Sequence, residues 1–347
     1  MEGLRIGWII PTVGCFGSVR EVVEVSNVLI RRGNHVRIYT PGGDRCTWLP
    51  CAAGYGTIDY IDNANLDVLI GVIDWKPDLY KALKDKPAKL KAVCLMGIHP
   101  SEELGRMLRG EIPASTQALQ VLYQCVLDDD MLILADGEWQ LQWLRIAVGR
   151  EVGVGFGGVN TEMFQYRRDL RKGEITIGYS GDVRKRKGTS VVEEAIRIVR
   201  ERYPKIRTTS YWGKMLSQKE IVEWYQSVDL FLDAHRRGGW CNPVLEAMSC
   251  GCVVVCTGIG ATSAFAENKL TAMVVPVDDP TAMAEATLWL LEDQRRMEHL
   301  RTNAVLRAMA YDYNNVVPEL ERYLLKELKR RKHVQGDKAL GRRDGLV

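Results

Sequence analysis

DLFLDAHRRGGWCNPVLEAMSCGCVVVCT, residues 229–257, alternates strand and helix with a physical reason at each step. The apolar runs at 229–234 and 252–257 are strand patterns, and the residues from Pro243 to Cys250 form a helix between them. Pro243 costs nothing near a helix start, where its missing N–H had no partner anyway. The pair Gly238-Gly239 precedes that helix and Gly251 follows it. The free N–H groups of Gly239, Trp240, Cys241 and Asn242 are placed to meet a phosphate or a sugar hydroxyl. Glu246 lies one turn into the helix among Val244, Leu245, Ala247 and Met248. A carboxylate in such surroundings needs a partner, and a ribose diol is one candidate.

The same rhythm extends in both directions. Downstream, AMVVPV (272–277) is a strand and Pro280–Glu292 a helix. Upstream, strands at 175–181 and 207–213 alternate with helices at 190–203 and 217–227. The first half repeats it. Leu4–Ile10 is a strand, residues 18–31 an amphipathic helix closed by Gly33, and HVRIYT (35–40) the next strand. Further strands fall at 66–72, 92–98 and 131–136, with helices at 76–84, near 101–109, at 115–126 and at 138–148. Repeated βα units predict parallel sheets. With 347 residues, the chain exceeds one hydrophobic core. The predicted fold class is α/β, two Rossmann-like domains facing each other across a cleft. Residues 1–156 and 157–308 form the domains, 309–330 a helix returning to the first, and 331–347 a basic polar tail. Ligands bind beyond the C-terminal strand ends of such sheets.

Composition narrows the function. Lys and Arg number 47 against 44 Asp and Glu, a net charge of +3, too weak an excess to argue for nucleic acid. The nine cysteines form no CxxC pair; Cys250 and Cys252 read as small buried hydrophobes, and the usage fits a reducing cytosol. The opening segment is too brief for a signal peptide and reads as a strand, and no apolar run reaches the ~18–20 residues a bilayer crossing needs. No Asp pair is placed for a metal: Asp128-Asp129-Asp130 precedes a strand and Asp278-Asp279 caps a helix.

Two loops carry candidate ligand contacts. Gly14 and Gly17 lie between the first strand and its helix, where backbone can approach an anion, although an ordinary βα turn looks the same. GYSGDVRKRKG (178–188) puts Arg184, Lys185, Arg186 and Lys187 at a strand's C-terminal end. The charges suit a diphosphate and equally suit a solvated basic loop.

GGWCNPVLEAMSCG (238–251) resembles the signature of the retaining GT-B glycosyltransferases of family 4 and its relatives, which include sucrose synthases, glycogen synthases and mannosyltransferases. The family pattern has two glutamates separated by seven residues. Glu246 takes the place of the second, and Gly238 occupies that of the first, with Asp233 and His235 close by in sequence. GGVNTEMF (157–164), RRGNHVRIYT (31–40), GIGATSAFAENKLTAMVVPVDDP (258–280) and YDYNNVVPELERYL (311–324) resemble further family segments. In GYSGDVRKRKG, Lys187 takes the diphosphate-contacting position. Asp182 stands where the family has an arginine, and Arg184 or Arg186 is the substitute cation. In MGIHP (96–100), His99 takes the place of a histidine near the donor sugar, and Tyr211–Lys214 that of the base pocket.

The resemblance implies transfer of a sugar from a UDP-, GDP- or ADP-sugar to a sugar, glycan, lipid or small-molecule acceptor, with retention of configuration. It implies no cofactor beyond that donor and no dedicated metal. His99, Lys187 and Arg184 are then the catalytic candidates. Gly14, Gly17, Lys187, Arg186, Tyr211, Gly239, Trp240, Cys241 and Glu246 are the donor-binding ones. The expected location is the cytoplasm, with peripheral membrane contact through the basic tail. Gly238 and Asp182 leave one alternative, a non-catalytic sugar-nucleotide-binding relative or partner subunit; the other is a sugar-nucleotide epimerase of the same fold, for which His99 and His235 are the acid/base groups on offer.

Overall fold

The computed structural model describes residues 3–72, 77–96, 106–107, 111, 113, 120, 123–125, 128, 130–149, 151–153, 155–171 and 173–341. The first half is a sheet of six parallel strands: β1 (Arg5–Ile9), β2 (His35–Thr40), β3 (Gly54–Thr57), β4 (Val68–Gly71), β5 (Leu90–Cys94) and β6 (Met131–Leu134). Their spatial order is β3-β2-β1-β4-β5-β6. The order reverses between β1 and β4, so the crevice of this sheet opens over the loop that follows β1. Helices α1 (Gly17–Arg31), α2 (Pro77–Asp85) and α3 (Glu138–Val148) cover it. On α1, Val19, Val22, Val25 and Leu29 are buried, each contributing about 1.5–3 kcal/mol by leaving water.

The second half has five parallel strands: β7 (Thr176–Tyr179), β8 (Arg207–Ser210), β9 (Leu230–Asp233), β10 (Val253–Thr257) and β11 (Met273–Val275). They lie in the order β11-β10-β9-β7-β8, with the switch point between β7 and β9. Around them run α4 (Thr189–Arg202), α5 (Gln218–Gln226), α6 (Asn242–Ser249), α7 (Thr262–Phe265), α8 (Pro280–Leu291) and α9 (Gln294–Ala310). Ser217 and Glu220 form a capping box at the start of α5, and Asp279 caps α8 by accepting from the Ala282 N–H.

The last helix, α10 (Tyr313–Gly341), crosses back. Its Val317, Leu320 and Leu324 bury themselves in the core of the first sheet. Glu321 accepts from Arg32 at 2.7 Å and from Asn34 at 2.6 Å. No described helix is long and apolar enough to cross a membrane.

Three elements depart from the sequence reading. β3 has no counterpart among the strands expected from the sequence: its GYGT sequence sits half-exposed on the sheet edge and has no apolar alternation. The helix α9 went unread because arginines interrupt its apolar stripe; Arg301 is itself buried, donating to the Gly251 carbonyl at 2.6 Å. The returning helix, expected to give way to a basic polar tail from residue 331, continues as α10 to Gly341. The helices expected near 101–109 and at 115–126 fall largely outside the described residues.

Candidate functional site

The switch point of the second sheet gathers the basic loop and the glycine-rich loop. After β7 the chain makes a 3-10 turn at Lys185–Lys187 and reaches Gly188 at φ +66°. A Cβ on Gly188 would stand 1.9 Å from the Ala234 carbonyl oxygen, so both its dihedral and its crowding demand glycine. The close approach locks the turn to the end of β9, and the Arg236 N–H donates to the Arg186 carbonyl at 2.8 Å.

There the Lys187 ammonium meets His235 Nε2, while His235 Nδ1 lies 2.5 Å from Asp233 Oδ1. Asp233 ends β9, His235 lies two residues beyond it and Lys187 comes from the turn that follows β7; Asp233 and His235 are buried. Thr257 on β10 donates to the His235 carbonyl at 2.6 Å and fixes its backbone. Burial opposes the charge on His235, but the adjacent Asp233 carboxylate pushes the imidazole up to about 10. Burial likewise works against the Asp233 carboxylate, and His235 and Lys187 hold it below the usual range.

The arginines at this end of the sheet separate into two kinds. Arg184 is bound through its guanidinium to Asp182, with Nε at 2.9–3.0 Å from both carboxylate oxygens, and its charge rests 5.4 Å from the Trp212 ring. Asp182, standing where a cation was expected, thereby neutralises Arg184. Arg186 and Arg237 have no carboxylate at ion-pair distance among the described residues. Desolvation and the nearby Arg184 and Arg237 hold the Arg186 guanidinium below its ordinary value. That is the signature of a cation short of counter-charge.

At the start of α6 the exposed amides are fewer than the sequence reading gave. The Trp240 N–H is taken by Asp136 Oδ2 of the first half at 2.9 Å, so it is not free for a phosphate. The indole fills a slot against Gly137 and Gly157, where a Cβ on Gly157 would stand 2.4 Å from Trp240 Cδ2. The N–H groups of Gly238, Gly239 and Cys241 donate to nothing among the described residues. Cys241 is buried, with Sγ 3.9 Å from His235 Nδ1.

Glu246 is 6% exposed and faces the first half. Its Oε1 lies 3.1 Å from Arg20 Nε on α1. The Arg20 guanidinium is stacked between Trp48, at 5.3 Å, and Phe164, at 5.4 Å. Burial raises the Glu246 carboxyl above its ordinary value, with Arg20 and Tyr225 pulling it back. Asn242 donates to Glu21 of α1 at 3.1 Å, and a Cβ on Gly17 would meet Asn242 Nδ2 at 2.7 Å. The first-half glycine loop thus abuts the start of α6. Gly14 lies further out, its N–H donating to Thr12 at 3.2 Å.

Tyr211 turns inward, edge-on to Trp224 at 5.0 Å, and burial drives its hydroxyl well above the usual range. The ring that faces solvent at this end of β8 is that of Trp212. His99 lies outside the described residues. Sequence reasoning passed over Arg20 and Asp136. Arg20, Glu21 and Glu24 are charges on an otherwise apolar helix directly after a glycine loop, a signal of partners across an interface. Asp136 carried no comparable mark.

Asp233, His235 and Cys241 are the one group among the described residues whose metal-ligating atoms lie within 4.8 Å of one another. Their donors do not fit a metal centre, because the imidazole is already shared between a carboxylate and an ammonium.

Residues 205–293 match the family described as "Glycosyl transferases group 1". Over 89 residues, 25% of each chain, the protein is 33% identical to the lipopolysaccharide core biosynthesis mannosyltransferase LpsB of Rhizobium meliloti strain 1021. The match thus spans about a quarter of that relative's length. Among solved structures, sucrose-phosphate synthase from Thermosynechococcus elongatus superposes with a TM-score of 0.73 at 14% identity, over 94% of this chain and 99% of that one. Anabaena HepE in complex with UDP gives 0.69 at 12% identity, over 93% and 100%. The fold is GT-B, two Rossmann-like domains face to face, and the chain is related to the group 1 glycosyl transferases.

Proposed function

We propose that this GT-B protein transfers a glycosyl group from a nucleoside-diphosphate sugar to an acceptor hydroxyl. One observation carries the reading: the turn bearing Arg186 and Lys187 is tied to the loop of Arg237, Gly238 and Gly239 at the switch point of the second sheet, and among the described residues no carboxylate lies at ion-pair distance from the two arginines. The bond from the anomeric carbon to the diphosphate oxygen breaks, and its electron pair goes to the diphosphate. The acceptor oxygen bonds to that carbon and loses its proton. Cations held in place beside the departing oxygens favour the transition state, where negative charge is greatest. Glu246, once released from Arg20, is the group for the ribose diol. Retention of configuration, and an acceptor approaching from the first half, belong to this reading through the resemblance. So does a cytoplasmic location with peripheral membrane contact through the basic tail. The domain limits at 156/157 and 308/309 belong to it as well, supported by the separate sheets and by the return of α10.

A second reading is a sugar-nucleotide-binding relative without transfer. The absence of a carboxylate at Gly238 and the engagement of Glu246 by Arg20 favour it. Incubation with UDP-, GDP- and ADP-sugars and a panel of sugar, glycan and lipid acceptors separates the two. Release of nucleoside diphosphate that disappears in Glu246→Ala supports transfer. Binding without release supports the second reading, and a protein that binds no donor is neither.

A further inference from the structure

Asp233 and His235 lie close in sequence to Gly238, where a carboxylate was expected, and both are turned to another task. We infer that they are positioning residues for Lys187: the carboxylate fixes the tautomer of the imidazole, and the Nε2 lone pair of the ring holds the ammonium in place for the donor diphosphate. This deepens the reading above and rests on it.

The roles follow from which groups can donate. The Lys187 ammonium meets Nε2 and has only N–H groups to offer, so Nε2 is the acceptor and carries no proton of its own. The ring proton is then at Nδ1, and Asp233 Oδ1, 2.5 Å away, accepts it. The same oxygen accepts the His235 backbone N–H at 3.3 Å, so one carboxylate oxygen ties both the ring and the main chain. Cys241 Sγ is the more distant neighbour of that edge, 3.9 Å from Nδ1. Asp233 also favours a second ring proton. That proton and the ammonium compete for a single lone pair, and in the structure the ammonium holds it.

The contacts are anchored at both ends. Asp233 and His235 are each 4% exposed, and Thr257 on β10 holds the His235 carbonyl at 2.6 Å. On the other side Gly188 is pressed against Ala234, which keeps the turn bearing Lys187 against the end of β9. A free lysine head samples many rotamers, and ordering it on an incoming ligand costs affinity. An ammonium has three N–H groups. One spent on the ring leaves two for phosphate oxygens, with the ordering complete before the donor arrives.

The test is a double-mutant cycle on affinity for UDP-, GDP- and ADP-glucose, read by calorimetry, with the rate of nucleotide release measured for any donor that turns over. His235→Leu is expected to weaken the donor that binds by about ten- to thirtyfold, the worth of a lysine's rotamer freedom, and to weaken it no further in a Lys187→Ala background. His235→Gln, whose amide oxygen can accept from the ammonium, is expected to bind more tightly than His235→Leu. Asp233→Ala unlocks the tautomer and is expected to lose part of the same affinity; wild-type affinity there overturns the part given to the carboxylate. Losses that add in the double mutant, or a Gln variant as weak as the Leu variant, are what a merely structural histidine gives; either overturns the assignment and spares the transferase reading. Should Lys187→Ala bind too weakly for the cycle, or Asp233→Ala fail to fold, the ring ¹⁵N shifts of His235 in the wild type decide. A neutral ring with its proton on Nδ1 supports the assignment, and an imidazolium or a ring protonated on Nε2 overturns it. Failure of the wild type to bind any of the three donors removes both the inference and the reading beneath it.

Discussion

The loop after β1 and the loop after β7 occupy equivalent places, each at the switch point of a parallel sheet and each leading into a helix, yet they differ in nearly every chemical respect. The first carries Gly14 and Gly17, and the helix after it contributes the buried acids Glu21 and Glu24. It is spent on contact with the other half, Gly17 against Asn242 and Arg20 against Glu246. The second carries four cations and has His235 and Asp233 behind it. The fold provides two crevices, and the placement of charge decides which of them suits a phosphate. A helix N-terminus attracts anions weakly by itself; side-chain cations short of counter-charge do the rest.

The largest expected effect lies on the first-half side. Arg20→Ala leaves Glu246 buried without its ion pair, and denaturant unfolding should register a loss of about 3–5 kcal/mol. A loss below about 1 kcal/mol would mean that the ion pair does not join the halves. Next, Lys187→Ala should lower the rate of nucleotide release by about 100- to 1,000-fold, as removal of one stabilising donor does, while a thermal melt stays near wild type. Equal sensitivity to a cation removed from the first half, for instance Arg5→Ala, would erase the contrast between the loops. Third, Gly188→Ala forces a Cβ onto the Ala234 carbonyl at positive φ and should cost about 1–3 kcal/mol, with donor affinity falling in parallel because the turn bearing Lys187 shifts. The smallest effect is expected from Gly17→Ala. Its Cβ meets only the movable end of Asn242, so stability should change by less than about 1 kcal/mol and donor affinity hardly at all. A large loss of donor affinity there would return the first loop to the binding site.

Much of this was legible in the sequence because local patterns carry it. Strands buried on both faces read as apolar runs, as at Val253–Thr257, and the glycines and Pro243 punctuate them. The edge strand at Gly54–Thr57 was illegible for the converse reason, since half-exposed backbone pairing leaves no trace in hydrophobicity. Within the site, Lys187 and Glu246 were named from motif, and the structure gives each a partner. What the sequence could not disclose is which partner. The ammonium of Lys187 settles on an imidazole, and Glu246 is claimed by a guanidinium from far earlier in the chain. Trp240 is the sharper lesson: its amide was read as free, and a carboxylate from the opposite half consumes it. Contacts between lobes obey no periodicity, so nothing short of their assembly reveals them.

The Arg20–Glu246 pair has a thermodynamic corollary. Any molecule whose hydroxyls bind that carboxylate must first evict the guanidinium, which makes Arg20 a built-in competitor at unvarying local concentration. Occupancy and lobe separation then belong to one cycle, and whatever tightens the empty molecule weakens its grip on the incoming ligand by the same factor.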